Sequence, residues 1–233
     1  MGSQQQHLHI DIEKNFGFVI KINVLDMPIA SIVTREYQES LSPSQVLEFL
    51  KEGNQRFLNN EKIERDFDKQ RKNLKSAQHP IAIILGCIDS RVPSELIFDL
   101  GLGDVFNVRI AGNILNDDVL GSLEFACKVV GAKLIVVMGH TDCGAIKAAC
   151  NGVRLAHISS IMEKIDPVIN SIKNRETQTE EDFVINVTHA NTVRVKGEII
   201  EKSEILRDMK NQGEIEIVNA VYCVESGIVS FGE

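Results

Sequence analysis

The chain has 233 residues, a formal net charge of −8, 43% hydrophobic residues and five cysteines. That length suits one substantial core, and acidic and basic residues mixed along the chain leave no basic patch, so nucleic acid is not an expected partner. No stretch approaches the roughly 20 apolar residues of a membrane span; the N-terminus lacks a basic region followed by an apolar one, and an odd cysteine count argues against a disulfide framework, so a cytoplasmic setting with no membrane partner is expected.

In chain order, residues 1–26 are polar apart from one short alternating run at 18–25, and Met27 is a candidate start. They read as a tag or mobile extension and are set aside. Residues 27–79 read as an N-terminal helical arm. Ser42-Pro43-Ser44-Gln45 is a helix start, and Val46, Phe49, Leu50, Phe57 and Leu58 recur at helical spacing. Residues 61–79 are charged and weakly periodic, which suits an arm or an exposed helix.

From residue 80 to 233 the pattern alternates. Residues 81–85 form a buried strand, Pro93 suits the first turn of a following helix, 104–109 form a second strand, and 117–130 form a helix ended by Gly131. A third strand at 134–138 precedes helices at 157–173 and 180–211, the latter ended by Gly213. Residues 214–224 and 228–231 then flank Glu225-Ser226-Gly227 as a strand pair. Alternating units of this kind predict a single α/β domain with a mostly parallel central sheet and helices on both faces.

Two clusters carry the chemistry. Gly86-Cys87-Ile88-Asp89-Ser90-Arg91-Val92-Pro93 follows the first strand, and Gly139-His140-Thr141-Asp142-Cys143-Gly144 follows the third. Ligands of open α/β sheets bind at the carboxyl ends of strands, so both loops can face one crevice. Cys87, His140 and Cys143 then make a three-residue zinc set, and a catalytic zinc keeps its fourth position open. Cys150 is a poor fourth ligand, since seven helical residues place it roughly 10 Å along the axis from Cys143. Asp89 or a water is the better candidate. Arg91, two residues on, can pair with Asp89 and hold it off the metal.

These residues resemble the β-class carbonic anhydrases, whose Cys-x-Asp-Ser-Arg loop and distant His-x-x-Cys-Gly match Cys87 to Arg91 and His140 to Gly144. The likeness extends through Gln78-His79-Pro80, Arg109-Ile110-Ala111-Gly112-Asn113 and Gly121-Ser122-Leu123-Glu124-Phe125-Ala126, and covers roughly 41–233. Ile88 and Ile110 stand where the family often has Ser and Asn. The resemblance implies a lyase with one zinc ion per chain that hydrates carbon dioxide reversibly to bicarbonate and a proton, through hydroxide generated at the metal. It implies that Asp89 orients that hydroxide and Arg91 fixes Asp89. It also implies that Gln78 and the Gly144 amide meet substrate oxygens, and that Phe106, Ala111 and Phe125 form an apolar pocket. Relatives pair through N-terminal arms, so a two-fold dimer or a dimer of dimers is expected, with Gln78, Phe106 or Phe125 reaching the partner's site. Relatives with a regulatory bicarbonate pocket carry a Trp three residues before the first cysteine. Ile84 stands there, and the chain has no Trp.

Other readings stay open on the residues alone. The same ligand set would serve a hydrolase of carbonyl sulfide or carbon disulfide. A zinc-closed binding or regulatory protein would have Asp89 permanently on the metal, which would leave Arg91 without its partner. A thiol oxidoreductase lacks its Cys-x-x-Cys. Cys127, Cys150 and Cys223 read as core thiols, and His79, His157 and His189 as surface or packing residues.

Overall fold

The computed structural model describes residues 32–232; the alternating run at 18–25 and Met27 lie outside them. Among the described residues, helices α1 (Arg35–Ser40), α2 (Pro43–Leu58) and α3 (Phe67–Asn73) precede strand β1 (Ala82–Gly86). The chain continues through α4 (Ser94–Ile97), β2 (Val105–Arg109), α5 (Asp117–Glu124), β3 (Leu134–His140) and α6 (Gly144–Cys150). Helices α7 (Ile158–Ser171), α8 (Glu180–Lys202) and α9 (Glu204–Asn211) lead to β4 (Glu216–Tyr222) and β5 (Val229–Phe231).

The five strands form one sheet in the order β2-β1-β3-β4-β5. The first four run parallel, and β5 turns back antiparallel along β4. From β1 the chain crosses first to one side, to β2, and then to the other, to β3. The order therefore reverses between β1 and β3, and the crevice outside their carboxyl ends is where such sheets bind ligands.

Strand alternation divides the core between two faces. Ala82, Ile84, Val136 and Met138 pack with Val46, Phe49 and Leu50 of α2 and with α6 and α7. Ile83, Leu85, Ile135 and Val137 pack on the other face with Leu123 of α5, Val195 and Ile199 of α8, and Leu206 of α9. β1 and β3 are buried along their whole length, whereas β2, at the sheet edge, is half-covered.

Ser42 starts α2 as its motif predicts. Its hydroxyl accepts the Gln45 N–H, and the Gln45 side chain accepts the Ser42 N–H at 2.8 Å. The N-terminal helical part lies against its own sheet. Asp99, buried and with φ +46°, takes Arg56 Nε and Arg65 Nη1 at 2.6 Å each, while Gln70 Oε1 accepts the Leu102 N–H. Segment 61–79 is thus tied to the domain, with one short helix inside it.

One expected helix is two. Ser203 adopts an extended conformation between α8 and α9; its hydroxyl accepts the Leu206 N–H and donates to Glu124 Oε1 at 2.6 Å. A serine that caps a new first turn, followed by Glu204, ends one helix and starts another without glycine or proline. The predicted helix at 117–130 is α5 continued by a π-helical segment, Phe125–Val130, and Gly131 closes it with φ +98°.

Candidate metal centre

The carboxyl ends of β1 and β3 deliver the two predicted clusters to one place. Cys87 leaves β1, His140 is the last residue of β3, and Cys143 caps α6 three residues further on. All three are buried, and their ligand atoms lie within 4.8 Å of one another. The sulfurs of Cys87 and Cys143 stand 3.9 Å apart as free thiols. Two sulfurs at about 2.3 Å from a tetrahedral zinc would be separated by roughly 3.8 Å.

His140 completes the set. Its Nδ1 donates to the Thr141 carbonyl at 2.9 Å, which leaves the Nε2 lone pair as the free acceptor. That Nε2 is buried without a hydrogen-bond partner. A buried polar atom left unpaired costs free energy, and a cation held with the two sulfurs would satisfy it. The donor set and its spacing fit zinc. Cys150 lies outside the cluster.

The thiols are supported unequally. The Cys143 contact lowers the Cys87 thiol, with further help from His140 and from the N–H groups of Asp89 and Gly112. Cys143 is pushed up by the same contact and by burial. The contact between the two thiols thus favours a single negative charge on the pair.

Asp89 stands at the edge of this cluster. Its Oδ1 accepts the Arg91 backbone N–H at 2.9 Å and Nε at 3.0 Å, and its Oδ2 accepts Nη2 at 2.9 Å. The guanidinium holds the carboxyl down at about 2, well below its ordinary range. The same guanidinium reaches across to the β3 loop, donating to Asp142 Oδ2 at 3.2 Å and to the Asp142 carbonyl at 3.1 Å. Lys147 of α6 bonds the other Asp142 oxygen, and Lys147 first, then Arg91, lowers that carboxyl.

Arg109, at the end of β2, ties the first loop down. Its Nε donates to the Cys87 carbonyl at 2.8 Å, and its Nη2 donates to the Asp89 carbonyl. Asp142, Lys147 and Arg109 had no role in the sequence reading. Arg109 and Asp142 lie inside the quoted motifs, but their partners are visible only once the loops share a crevice. Cys223 was expected in the core; it is half-buried, with Thr141, Lys147 and Glu180, in a cleft of about 710 Å³.

The remaining predicted residues divide. Gly144 is exposed at the first position of α6. Ala111 lies in the turn Ala111–Asn113, which packs on β1, β3 and α6. Phe106 and Phe125 line a separate groove of about 650 Å³ between edge strand β2 and α5, which contains none of the three ligands. Phe125 is 55% exposed. Gln78 is exposed and precedes β1, whereas Cys87 follows it.

The family model described as carbonic anhydrase matches residues 82–229. Carbonic anhydrase 2 of Mycobacterium tuberculosis is 34% identical over 185 residues, spanning 76% of this chain and 87% of that protein. The β-carbonic anhydrase CafA of Aspergillus fumigatus superposes with a TM-score of 0.66 at 25% identity, over 82% of this chain and 90% of its own. A tetrameric β-carbonic anhydrase of Sordaria macrospora shares the fold with a TM-score of 0.61 at 21% identity, over 69% and 84% of the two chains. With the fold, the strand-end loops and the matched span in agreement, the chain belongs to the β-carbonic anhydrase family and is a lyase of that class.

Proposed function

We propose that the chain hydrates carbon dioxide reversibly to bicarbonate and a proton, with one zinc ion held by Cys87, His140 and Cys143. One observation carries this reading: a buried imidazole nitrogen without a partner faces two thiols, beside an aspartate gripped through both oxygens by an arginine. Zinc bound there would supply the Lewis acidity that brings water toward ionisation near neutral pH.

The chain's own residues do the rest. Asp89, ionised and an acceptor only, takes a hydrogen bond from the attacking water and orients its lone pair. Arg91 keeps Asp89 in that role and away from the ligand cluster. The Gly144 N–H, at a helix position with no intrahelical acceptor, donates to a substrate oxygen. Carbon dioxide is neutral and linear, so it needs an apolar wall, and Ala111 contributes to it.

Gln78 and the groove of Phe106 and Phe125 serve the site of a second copy. The five residues of β1, at about 3.3 Å each, lie between Gln78 and the Cys87 end of the strand. Phe106 pairs in register with Ile83, near the entering end of β1. A two-fold dimer or dimer of dimers, assembled along the β2 edge, would bring these side chains to the partner's cluster. A site that depends on two thiolates also favours a reducing cytoplasm. Among the described residues, no helix is long and apolar enough to cross a membrane.

Stopped-flow hydration of carbon dioxide by the zinc-loaded protein tests the reading, with carbonyl sulfide and carbon disulfide run in parallel. Turnover of carbon dioxide is expected. Turnover of a sulfur gas alone would reassign the substrate, and inactivity on all three would refute catalysis.

A further inference from the structure

We propose that Asp142 is a positioning residue for the Asp89–Arg91 pair, clamping the far side of the Arg91 guanidinium and thereby fixing where Asp89 stands. The inference rests on the roles given to Asp89 and Arg91 above. An exposed ion pair between flexible side chains is worth little alone, and networks with bidentate geometry are the exception. The Arg91 side chain is 44% exposed. Its fork is nonetheless filled on two sides: Nε and Nη2 face Asp89, while Nη1 and Nη2 face Asp142 Oδ2 and the Asp142 carbonyl at 3.2 and 3.1 Å.

The clamp joins the loop after β1 to the loop after β3, the two loops that carry the ligands. Charges alternate along it as Asp89, Arg91, Asp142 and Lys147, with Lys147 Nζ on the second Asp142 oxygen. Asp142 does not cap α6, since Cys143 holds that position. Its carboxylate is instead directed at two cationic side chains. Its backbone has φ +61°, a left-handed conformation that Asp and Asn tolerate better than most residues. Without Asp142, the long Arg91 side chain regains rotamers that do not face Asp89, and the carboxylate 3.9 Å from His140 Nε2 loses its fixed orientation.

Asp142→Asn keeps the size and tolerates the backbone conformation while removing the charge; Asp142→Gly suits the same φ and removes the side chain. In the zinc-loaded protein each should lower kcat roughly three- to tenfold with KM within about twofold, a loss of orientation rather than of binding. The melting temperature should stay within about 2 °C. Exchange of the Arg91 Nε–H with water, followed by NMR in zinc-loaded and metal-stripped protein, should accelerate. Unchanged kcat, unchanged Arg91 exchange, or a large fall in melting temperature in both variants would each overturn the proposal. Asp89→Asn, measured alongside, separates the layers: if it is inactive while the Asp142 variants behave as wild type, the clamp alone fails. If Asp89→Asn is fully active, the reading beneath it falls and takes the clamp with it.

Discussion

Asp89 Oδ2 stands 3.9 Å from His140 Nε2 while Arg91 grips both of its carboxylate oxygens. A carboxylate so near a buried, unpartnered imidazole nitrogen needs only a small shift to join the ligand cluster. The bidentate guanidinium opposes that shift, because fork-to-carboxylate hydrogen bonds are among the stronger ones proteins make. Asp89 is thereby kept ionised and at the edge of the ligand cluster.

Asp89→Asn should therefore retain the metal and lose carbon dioxide hydration by about two orders of magnitude or more, the scale of a lost proton-handling group. Arg91→Ala should fall similarly, with Asp89 then free to occupy the open position. Metal analysis and stopped-flow rates on the same samples check both. Wild-type hydration by the two variants would remove the pair from the mechanism.

Purified protein should carry close to one zinc per chain, and Cys143→Ser should lose it, because a neutral hydroxyl is a far poorer zinc ligand than a thiolate. Elemental analysis after dialysis reads the stoichiometry. Undiminished zinc in a Cys87→Ser, Cys143→Ser double variant would rule out this site.

The strand-end motifs were legible because their chemistry is local: apolar runs at 81–85 and 134–138 announce buried parallel strands, and each hands its ligands to the next loop. The break at Ser203 was not legible. Its cause is a bond to Glu124, 79 residues away, which no periodicity reports. The docking of the N-terminal helices was hidden for the same reason, since Arg56 and Arg65 look like solvated charges until Asp99 lies between them. Asp142 shows the limit at the site itself: the residue stood inside a quoted motif, but its partner Arg91 is 51 residues away.

Asp104 gives a pH test remote from the metal ligands. Its Oδ2 accepts the Gly101 N–H at 2.6 Å, its Oδ1 is buried without a partner, and burial raises its pKa. The folded state therefore holds this proton more tightly than the unfolded chain does. Its contribution is greatest below the unfolded value of about 3.9 and is lost as pH rises through the folded value. Asp104→Asn cannot ionise, so it should melt higher than wild type at pH 7, and the gap should close near pH 4. Parallel melting curves from pH 4 to 8 measure it; identical pH dependence in the two proteins would contradict the assignment.

Gly53 tests the seating of α2. A Cβ there would lie 1.9 Å from the Phe98 carbonyl oxygen and 2.8 Å from its carbon. Alanine favours a helix interior over glycine by up to about 1 kcal/mol, but a backbone overlap of this kind costs about 1–3 kcal/mol. The clash should win, all the more because neighbouring Asn54 bonds the Ile97 and Gly227 carbonyls from the same turn. Gly53→Ala should melt several degrees lower. A variant as stable as wild type would show that α2 sits further from α4.

Assembly provides the last test, because it asks whether Gln78 works in its own chain or in its partner's. Gln78 and Cys87 lie beyond opposite ends of β1, and the groove of Phe106 and Phe125 flanks the half-covered edge strand β2. A monomer would leave that groove, the 55% exposed Phe125 ring and the unpaired strand edge in water. Sedimentation at micromolar concentration should accordingly give a dimer or a multiple of it. Mixing Gln78→Ala chains with Asp89→Asn chains then decides the sharing. If Gln78 serves the partner's site, one pocket of each hybrid carries both defects and the other carries neither, so activity should recover to as much as half of wild type per hybrid. If Gln78 serves its own chain, each pocket keeps one defect and mixing restores nothing. An active monomer of 25.9 kDa would overturn both the assembly and the shared pocket.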